Sequence, residues 1–456
     1  MITICMPIEF VFDIIGKQKI KKEAQYRETR HQIKLRCEDG ILLYHTLTGE
    51  LILLESSETE DACRDELIKR WFMVPEDFEE RKQADGVRNV AKLMRKQKRG
   101  RTTFTILTTT DCNARCFYCY EMGTPRYSMS PETARDVGNY IARICDKKKV
   151  KISWFGGEPL LNTDAIDIIC GILKDYQIDF DSSLTSNGFY LDAETARKAV
   201  SEWHIKMVQI TLDGTESVYN RTKAYIDQEA CNPFFRVMSN IKAALDAGIE
   251  VSIRLNMDRA NAEDLFILAD EIGKRFGSYP GFYGRVALLR RFIGDIHDFS
   301  SEEEAADYQQ SLQEKLDSYS IGSRIKLSRS LYINQCMADN DNCEVILPDG
   351  RIERCEHIRE SEVTGSIYED ARNTEKVQEW KKTVYFSECM DCELYPMCVN
   401  LAKCEWQKNG CSEARRRNAR KRMSEAILAV YHNDEETKGK GNNETEAELH
   451  SGGSWW

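Results

Sequence analysis

The chain lacks any uncharged run near the ~20 apolar residues that a membrane-spanning helix needs. Glu9 and Asp13 interrupt the apolar residues at its start, with no basic flank before them, which excludes a secretory signal. Positive charge is also short: 64 Lys and Arg stand against 75 Asp and Glu, a net charge of −11, and this argues against general nucleic-acid binding. The cysteine content, 17 in 456 residues, falls below the roughly 8–10% of a disulfide scaffold. These absences predict a cytoplasmic chain with reduced thiols, no membrane partner and no nucleic-acid partner. The one basic run, Arg95-Lys-Gln-Lys-Arg-Gly-Arg101, reads as a solvated linker.

The cysteines that are there fall unevenly. Cys5, Cys37, Cys63, Cys145, Cys170 and Cys231 are scattered singly, as small buried apolar residues are, while eleven others form two groups, which is the pattern of metal binding. The first group is Cys112, Cys116 and Cys119, within Thr108-Thr-Thr-Asp-Cys-Asn-Ala-Arg-Cys-Phe-Tyr-Cys-Tyr120. What this loop lacks is a fourth thiolate. A closed structural site, whether zinc or a cubane cluster, takes four, so three on one loop leave an iron open or call for a distant ligand. A zinc knuckle with its fourth ligand elsewhere is the competing reading.

From Thr105 to about Gly294 short β-rich runs alternate with helical stretches, predicting parallel strands with helical crossovers. Thr103–Leu107 leads into the three-cysteine loop, and Ser130-Pro131-Glu132 starts a helix with a Ser N-cap and Pro in the first turn. Val150–Trp154 ends at Phe155-Gly-Gly-Glu-Pro159, Asp181–Leu184 at Thr185-Ser-Asn-Gly188, and Met207–Leu212 at Asp213-Gly214; Glu250–Leu255 carries Arg254, followed by Asn256, and Gly284–Leu289 makes a sixth strand. Functional groups thus gather at the carboxyl ends of strands, where parallel α/β barrels place active sites. Six strands are too few to close an eight-stranded barrel.

The three-cysteine loop, with Phe117-Tyr118 before its last cysteine and Gly156-Gly157-Glu158-Pro159 on the next strand, resembles the radical S-adenosylmethionine enzymes. The resemblance implies a [4Fe-4S] cluster on Cys112, Cys116 and Cys119 whose open iron chelates the cofactor. It implies Glu158 as partner of the cofactor ammonium, with Gly156, Gly157 and Pro159 shaping that turn, Ser186 and Asn187 near the ribose or carboxylate, and Asp213 on the ribose side. A cation should meet the carboxylate; Lys223, Arg221 and Arg254 are the candidates.

The second group is Cys336, Cys343 and Cys355, then Cys389, Cys392, Cys398, Cys404 and Cys411. Eight thiolates suffice for two closed four-iron clusters; zinc ribbons are the alternative. With Pro348-Asp-Gly350 between Cys343 and Cys355, the stretch resembles the SPASM extension of peptide-modifying radical enzymes. That resemblance implies one auxiliary cluster on Cys336, Cys343, Cys355 and Cys404 and another on Cys389, Cys392, Cys398 and Cys411, with Cys404 and Cys411 interchangeable, and three [4Fe-4S] clusters in all beside S-adenosylmethionine. It also implies Glu356 as a catalytic base, His357 being a structural neighbour.

Residues 1–95 read differently. Ile33–Arg36, Ile41–His45 and Glu50–Leu54 alternate around Asp39-Gly40 and Thr48-Gly49 as antiparallel hairpins, and helical periodicity follows over Asp61–Trp71 and Pro75–Met94. Three strands and then helices resemble the winged-helix element of peptide maturases, which takes a leader peptide onto a sheet edge. The expected architecture is therefore α/β: a partial (β/α)6 TIM-type barrel at 105–300, an N-terminal winged-helix-like domain at 1–95 joined by a linker at 96–104, a bridging helix at 301–330, a SPASM domain at 331–432, and a disordered tail at 433–456. Trp455-Trp456 closes the tail. The expected function is a maturase that abstracts hydrogen from a ribosomal precursor peptide and crosslinks its side chains through a carbon–carbon or thioether bond, fed by a flavodoxin or ferredoxin; a formylglycine-making sulfatase maturase and a non-catalytic iron–sulfur or zinc scaffold are the alternatives.

Overall fold

The computed structural model describes residues 1–96, 101–146, 149–226, 232–289, 298–322, 336–357, 362–369, 372–382, 384, 386–389, 391–396, 401–404 and 411–438. The chain divides into two compact units, one of residues 1–97, 325–336 and 383–456, the other of residues 98–324 and 337–382.

The first unit begins with β1 (Ile2–Cys5), α1 (Glu9–Ile15), β2 (Tyr26–Glu28), β3 (Gln32–Cys37), β4 (Gly40–His45), β5 (Leu51–Glu55), α2 (Arg64–Lys69), β6 (Met73–Pro75) and α3 (Glu80–Lys96). The predicted hairpins form, and β1 adds an unforeseen fourth strand, giving the antiparallel order β1-β5-β4-β3. Gly40 is required at its turn: its φ is +153°, and a Cβ there would stand 1.9 Å from the Leu54 carbonyl oxygen. Pro75, expected to open a helix, instead ends β6 opposite Tyr26, an edge pairing that spares the N–H proline lacks; α3 starts five residues later.

Glu80 organises this unit. Its carboxylate, 1% exposed, accepts hydrogen bonds from Thr29 Oγ1 (2.6 Å), Arg30 N (3.0 Å), Arg30 Nε (2.9 Å) and Arg27 Nη1 (3.1 Å), which satisfies a buried charge that would otherwise cost several kcal/mol. Beside it lie His31 and His45, each 1% exposed, with ring centroids 6.2 Å apart.

The second unit carries the barrel. Strands β7 (Thr103–Thr109), β8 (Val150–Gly156), β9 (Phe180–Ser186), β10 (Ile205–Leu212), β11 (Glu250–Met257) and β12 (Phe282–Leu288) are parallel neighbours in chain order, so all six expected strands are present. The helices α4 (Pro131–Ile144), α5 (Thr163–Asp175), α6 (Ala193–Ser201), α7 (Glu216–Lys223), α8 (Pro233–Asp246), α9 (Ala262–Phe276) and α10 (Glu302–Ser318) follow the strands. Ser130 caps α4 as expected, accepting from Thr133 N at 3.0 Å. Residues alternate along the strands: Ile152, Trp154, Leu184, Val208, Ile210, Val251 and Ile253 are buried in the core, while Ser153, Thr185, Gln209, Thr211 and Arg254 between them are half-buried.

Beyond the sixth strand the chain returns to the opposite edge. β13 (Cys343–Ile346) runs parallel to β7, with Cys343 opposite Thr103, and β14 (Arg351–Glu353) and β15 (Gly365–Ser366) extend the sheet antiparallel; α11 (Thr374–Trp380) follows. Glu344 fixes this return, 3% exposed, taking the Tyr140 hydroxyl at 2.6 Å and pairing with Arg101 at 2.5 Å and Arg372 at 3.4 Å. The sheet thus has seven parallel strands and stays open, β12 and β15 at its edges.

This arrangement corrects the expected boundaries. Residues 337–382 belong with the barrel rather than with the later cysteines. Cys392, Leu394 and Tyr395, with Met423, Ile427 and Tyr431 of α12 (Glu413–Lys438), share one core with Val11, Ile33, Leu42 and Val87. Thr46 Oγ1 donates to the Glu393 carbonyl at 2.5 Å. The segments expected as separate first and last domains are therefore one unit, because α12 and the residues before it supply apolar surface that a four-stranded sheet with short helices needs. The helix also runs to Lys438, past the predicted start of the tail at 433; residues 439–456, Trp455 and Trp456 included, lie outside the described residues.

Burial lowers the pKa of His31 to about 4 and that of His45 to about 3. A base whose folded pKa is depressed supports the fold above its unfolded pKa of about 6.5 and withdraws that support as pH falls toward the folded value. Urea midpoints taken from pH 7 to pH 4 should fall more steeply for the wild type than for His31→Leu. Parallel curves would remove His31 as the cause.

Candidate active site

The carboxyl ends of β7, β8 and β9 meet at one carboxylate. Glu158, fully buried, accepts from Ser186 Oγ at 2.8 Å and Leu160 N at 3.2 Å on Oε1, and from Asn187 N at 2.7 Å on Oε2. Burial raises its pKa to about 7 against the pull of those donors. Its backbone N–H is given to the Asp111 carbonyl (2.8 Å) and that of Gly157 to Thr109 (3.0 Å), tying the end of β8 to the cysteine loop. Here the two glycines find their reason: a Cβ on Gly156 would lie 2.1 Å from the Thr109 carbonyl oxygen, and one on Gly157 2.1 Å from that of Asp111. The close approach they permit is to the cysteine loop itself. Pro159, buried, starts the single turn Pro159–Asn162, and its carbonyl takes the Thr108 hydroxyl at 3.1 Å.

Asn187 carries the link further. Its Nδ2 donates to Asn113 Oδ1 at 2.7 Å and stands 3.7 Å from Cys112 Sγ, which also receives the Ala114 N–H at 3.4 Å. The donor set fits a four-iron cluster: three thiols on one loop, with amide donors ready for a sulfur that becomes anionic on metal binding. Burial pushes the Cys112 thiol up to about 12 and Cys119 to about 11, and raises Cys116; iron must therefore displace their protons. Among the described residues no three His, Cys, Asp or Glu converge on a point suited to a single metal ion, a convergence that a cubane, with separate irons, does not require.

The opposite wall of the loop is held by Asp213 and Lys223. Lys223 Nζ reaches Asp213 Oδ2 (2.9 Å), Tyr118 Oη (3.0 Å) and Thr211 Oγ1 (2.5 Å), so all three ammonium donors are engaged. Burial opposes the charge, but Asp213 and then Tyr118 hold the Lys223 pKa well above the usual value. Asp213 Oδ1 is buried and has no hydrogen-bond partner among the described residues, which suits a hydroxyl-bearing ligand. Of the three cations offered by the sequence, Arg221 is exposed and Lys223 is spent. Arg254, half-buried on β11, gives Nε to Asn256 Oδ1 at 2.8 Å and makes no ion pair among the described residues, which leaves its terminal nitrogens for a carboxylate.

Tyr120 connects the loop to the return strand. Its ring stacks edge-on against His357 at 4.3 Å, and Glu121, Glu356, Cys119 and Cys355 all raise its pKa after burial does. The half-buried Glu356 is thus brought beside the cysteine loop. Sequence reading passed over Glu121, whose pKa burial lifts to about 8 and whose Oε1 has no partner; its place two residues past Cys119 was the available signal.

The later cysteines separate. Cys343, buried at the start of β13, and Cys355 belong to the barrel unit, whereas Cys336 and Cys404 belong to the other, so the four expected to share one cluster are divided between units. Cys389 and Cys411 stand close enough to Cys392 to add to the rise that burial gives its pKa, and Cys389 does the same to Cys411; Cys398 lies outside the described residues.

The radical SAM superfamily profile matches residues 106–272, the stretch that holds the barrel strands, the three-cysteine loop and the Glu158 turn. The chain belongs to the radical SAM superfamily, whose members use S-adenosylmethionine and a [4Fe-4S] cluster. It is 35% identical over 280 residues, 60% of its length and 86% of the relative's, to the Methanocaldococcus jannaschii protein named Probable GTP 3′,8-cyclase. It is 33% identical over 153 residues to the Campylobacter curvus GTP 3′,8-cyclase, covering 32% of this chain and 44% of that one; the chain thus spans less than half the length of that relative. In fold it matches anSMEcpe with bound AdoMet and the Kp18Cys peptide, at TM-score 0.54 and 13% identity, over 74% of this chain and all of that one. These sequence relatives overturn the expected function: they are named as GTP cyclases, so the reading as a peptide maturase, whether crosslinking or formylglycine-forming, is withdrawn. The three-cysteine loop and the Gly156–Pro159 turn mark the superfamily without choosing between these substrates. Among the described residues no helix is long and apolar enough to cross a membrane.

Two outcomes follow for reconstituted protein. Glu158→Gln places an amide N–H against the Asn187 N–H and should weaken S-adenosylmethionine binding by at least about tenfold, read by equilibrium dialysis. Arg254→Gln should raise the KM for the cofactor about tenfold or more with iron content unchanged; an unchanged KM would return the carboxylate to another cation.

Proposed function

We propose that the chain is a radical S-adenosylmethionine oxidoreductase whose substrate is a purine ribonucleotide. The observation that carries the reading is the seat built from Cys112, Cys116, Cys119, Glu158, Asn187, Asp213 and Arg254 at the carboxyl ends of adjoining barrel strands, together with the 35% identity to a protein named as a GTP cyclase. When bound, the cluster and cofactor supply one-electron cleavage of the sulfonium and a 5′-deoxyadenosyl radical that abstracts hydrogen. The chain's own part is positional. Asn187 and Ala114 direct N–H groups at Cys112, Arg254 meets the carboxylate, Asp213 Oδ1 accepts from a ribose hydroxyl, and Glu158 keeps Ser186 and Asn187 in place; Glu158 thereby acts on the cofactor ammonium through Oε2, its less occupied oxygen. Glu356, near Tyr120, is the group that would take a proton.

The mutual proximity of Cys389, Cys392 and Cys411 supports a second cluster in the other unit, with Cys398 as fourth ligand, and favours Cys411 over Cys404 in that set. On sequence spacing alone, Cys336, Cys343, Cys355 and Cys404 supply the thiols for a third. A flavodoxin or ferredoxin would supply electrons.

The test is anaerobic reconstitution with iron and sulfide, then incubation with dithionite, S-adenosylmethionine and GTP. About twelve irons per chain are expected for three clusters, with 5′-deoxyadenosine formation abolished in Cys112/Cys116/Cys119→Ala and a cyclised GTP product formed by the wild type. Cleavage of the cofactor without any GTP-derived product would sink the nucleotide reading while leaving the radical chemistry standing.

A further inference from the structure

The three-cysteine loop is anchored at three points to the last residue of α7 and the turn after it. Arg115 N donates to the Lys223 carbonyl at 2.8 Å, Cys116 Sγ lies 4.0 Å from that same oxygen, and Ile226 N donates to the Asn113 carbonyl at 2.9 Å. Ala224, at φ +44°, turns the chain so that these groups face the loop. The backbone of Lys223 thus seats one side of the loop while its side chain reaches over to the other.

At the end of that reach stands Tyr118, between two cluster cysteines. Its hydroxyl donates to Asp213 Oδ2 at 2.8 Å and accepts from Lys223 Nζ at 3.0 Å and from Asn256 Nδ2 at 3.2 Å. One oxygen therefore joins the cysteine loop to the end of β10, the end of β11 and α7. A packing aromatic needs none of this, since phenylalanine fills the same volume; the hydroxyl gives each member of a fully buried ion pair one further hydrogen bond.

We propose that the Tyr118 hydroxyl is a positioning residue for the cluster, and that Lys223 and Asp213 are its anchors. By fixing Tyr118 the node sets where Cys116 and Cys119 hold their irons relative to Asp213 Oδ1 and Arg254, the groups that receive the cofactor. This rests on the radical reading of the site, not on the nucleotide substrate. Lys223 accordingly has a structural task in the seat and is not the carboxylate cation. Breaking the node leaves the thiols able to bind iron but shifts the open iron against the cofactor.

The experiment compares wild type, Tyr118→Phe and Tyr118→Leu, each reconstituted, by iron content, thermal midpoint, the change that S-adenosylmethionine causes in the EPR spectrum of the reduced cluster, and the cleavage rate without added substrate. Tyr118→Phe should keep full iron and a midpoint within a few degrees, yet lose about tenfold or more in cleavage rate, as the loss of hydrogen bonds to charged partners predicts, with an altered or diminished EPR response. Tyr118→Leu should resemble Tyr118→Phe. Cleavage and EPR response within about twofold of wild type in Tyr118→Phe would overturn the proposal, as would failure of Tyr118→Phe to take up iron, which would make Tyr118 a folding element. If the wild type shows no cleavage at all, it is the radical reading that fails.

Discussion

Everything in the barrel's mouth depends on a carboxylate that is buried and still satisfied. Glu158 sits where β8, β9 and the cysteine loop approach one another, and it is the shared acceptor for N–H and O–H groups of two strand ends. An unpartnered carboxylate there would cost several kcal/mol, so the donors and the acid specify each other's positions. The glycines before it follow from the same demand, since the loop can reach Glu158 only where no Cβ stands between. The pKa raised to about 7 marks which way this balance falls: burial outweighs three hydrogen bonds, and a cationic ligand nearby would favour the charged form.

A second buried charge pair works at the opposite wall. Lys223 and Asp213, 2% and 0% exposed, would repay their desolvation only with good geometry and extra hydrogen bonds, and Tyr118 and Thr211 supply them, with Asn256 in turn donating to the Tyr118 hydroxyl. Thus the cysteine loop is held between two polar nodes, one acidic and saturated by neutral donors, the other an ion pair. Among the described residues, capacity is left on Glu158 Oε2, on Asp213 Oδ1 and on the terminal nitrogens of Arg254. Such residual capacity in a buried polar site is what a ligand with hydroxyl and carboxylate groups would complete.

How much of this was legible in the sequence depended on the range of the interaction. The six barrel strands could be read because each is a β-rich run bounded by turn residues and followed by a helix, and the cysteine spacing is local. β13 could not, since Cys-Glu-Val-Ile is too short to show a period and its partner Thr103 lies some 240 positions earlier. Cys343 accordingly looked like a ligand alone, although it also begins a strand. For the same reason the joint core of α12 and the N-terminal sheet was invisible: Ile427 and Val11 each read as ordinary apolar positions. Within the site, motif order located Glu158, Ser186, Asn187 and Asp213, but not what they touch. Only geometry separates Lys223, with every donor used, from Arg254, with two nitrogens to spare.

The divided cysteines show where pattern and fold part. Eight thiols in sequence order invite grouping by spacing, yet the Glu344 node holds Cys343 and Cys355 to the barrel, while Cys389, Cys392 and Cys411 gather around the core of the other unit. Glu344 is buried and shared by Arg101, Arg372 and the Tyr140 hydroxyl, so detaching β13 from β7 would break all three of these contacts at once. That cost keeps Cys355, and with it Glu356 and His357, beside Tyr120. The return strand is therefore more than a ligand carrier. It delivers an acid and an imidazole to the edge of the radical-generating loop, and any substrate that enters the barrel from that side meets them next to the cluster.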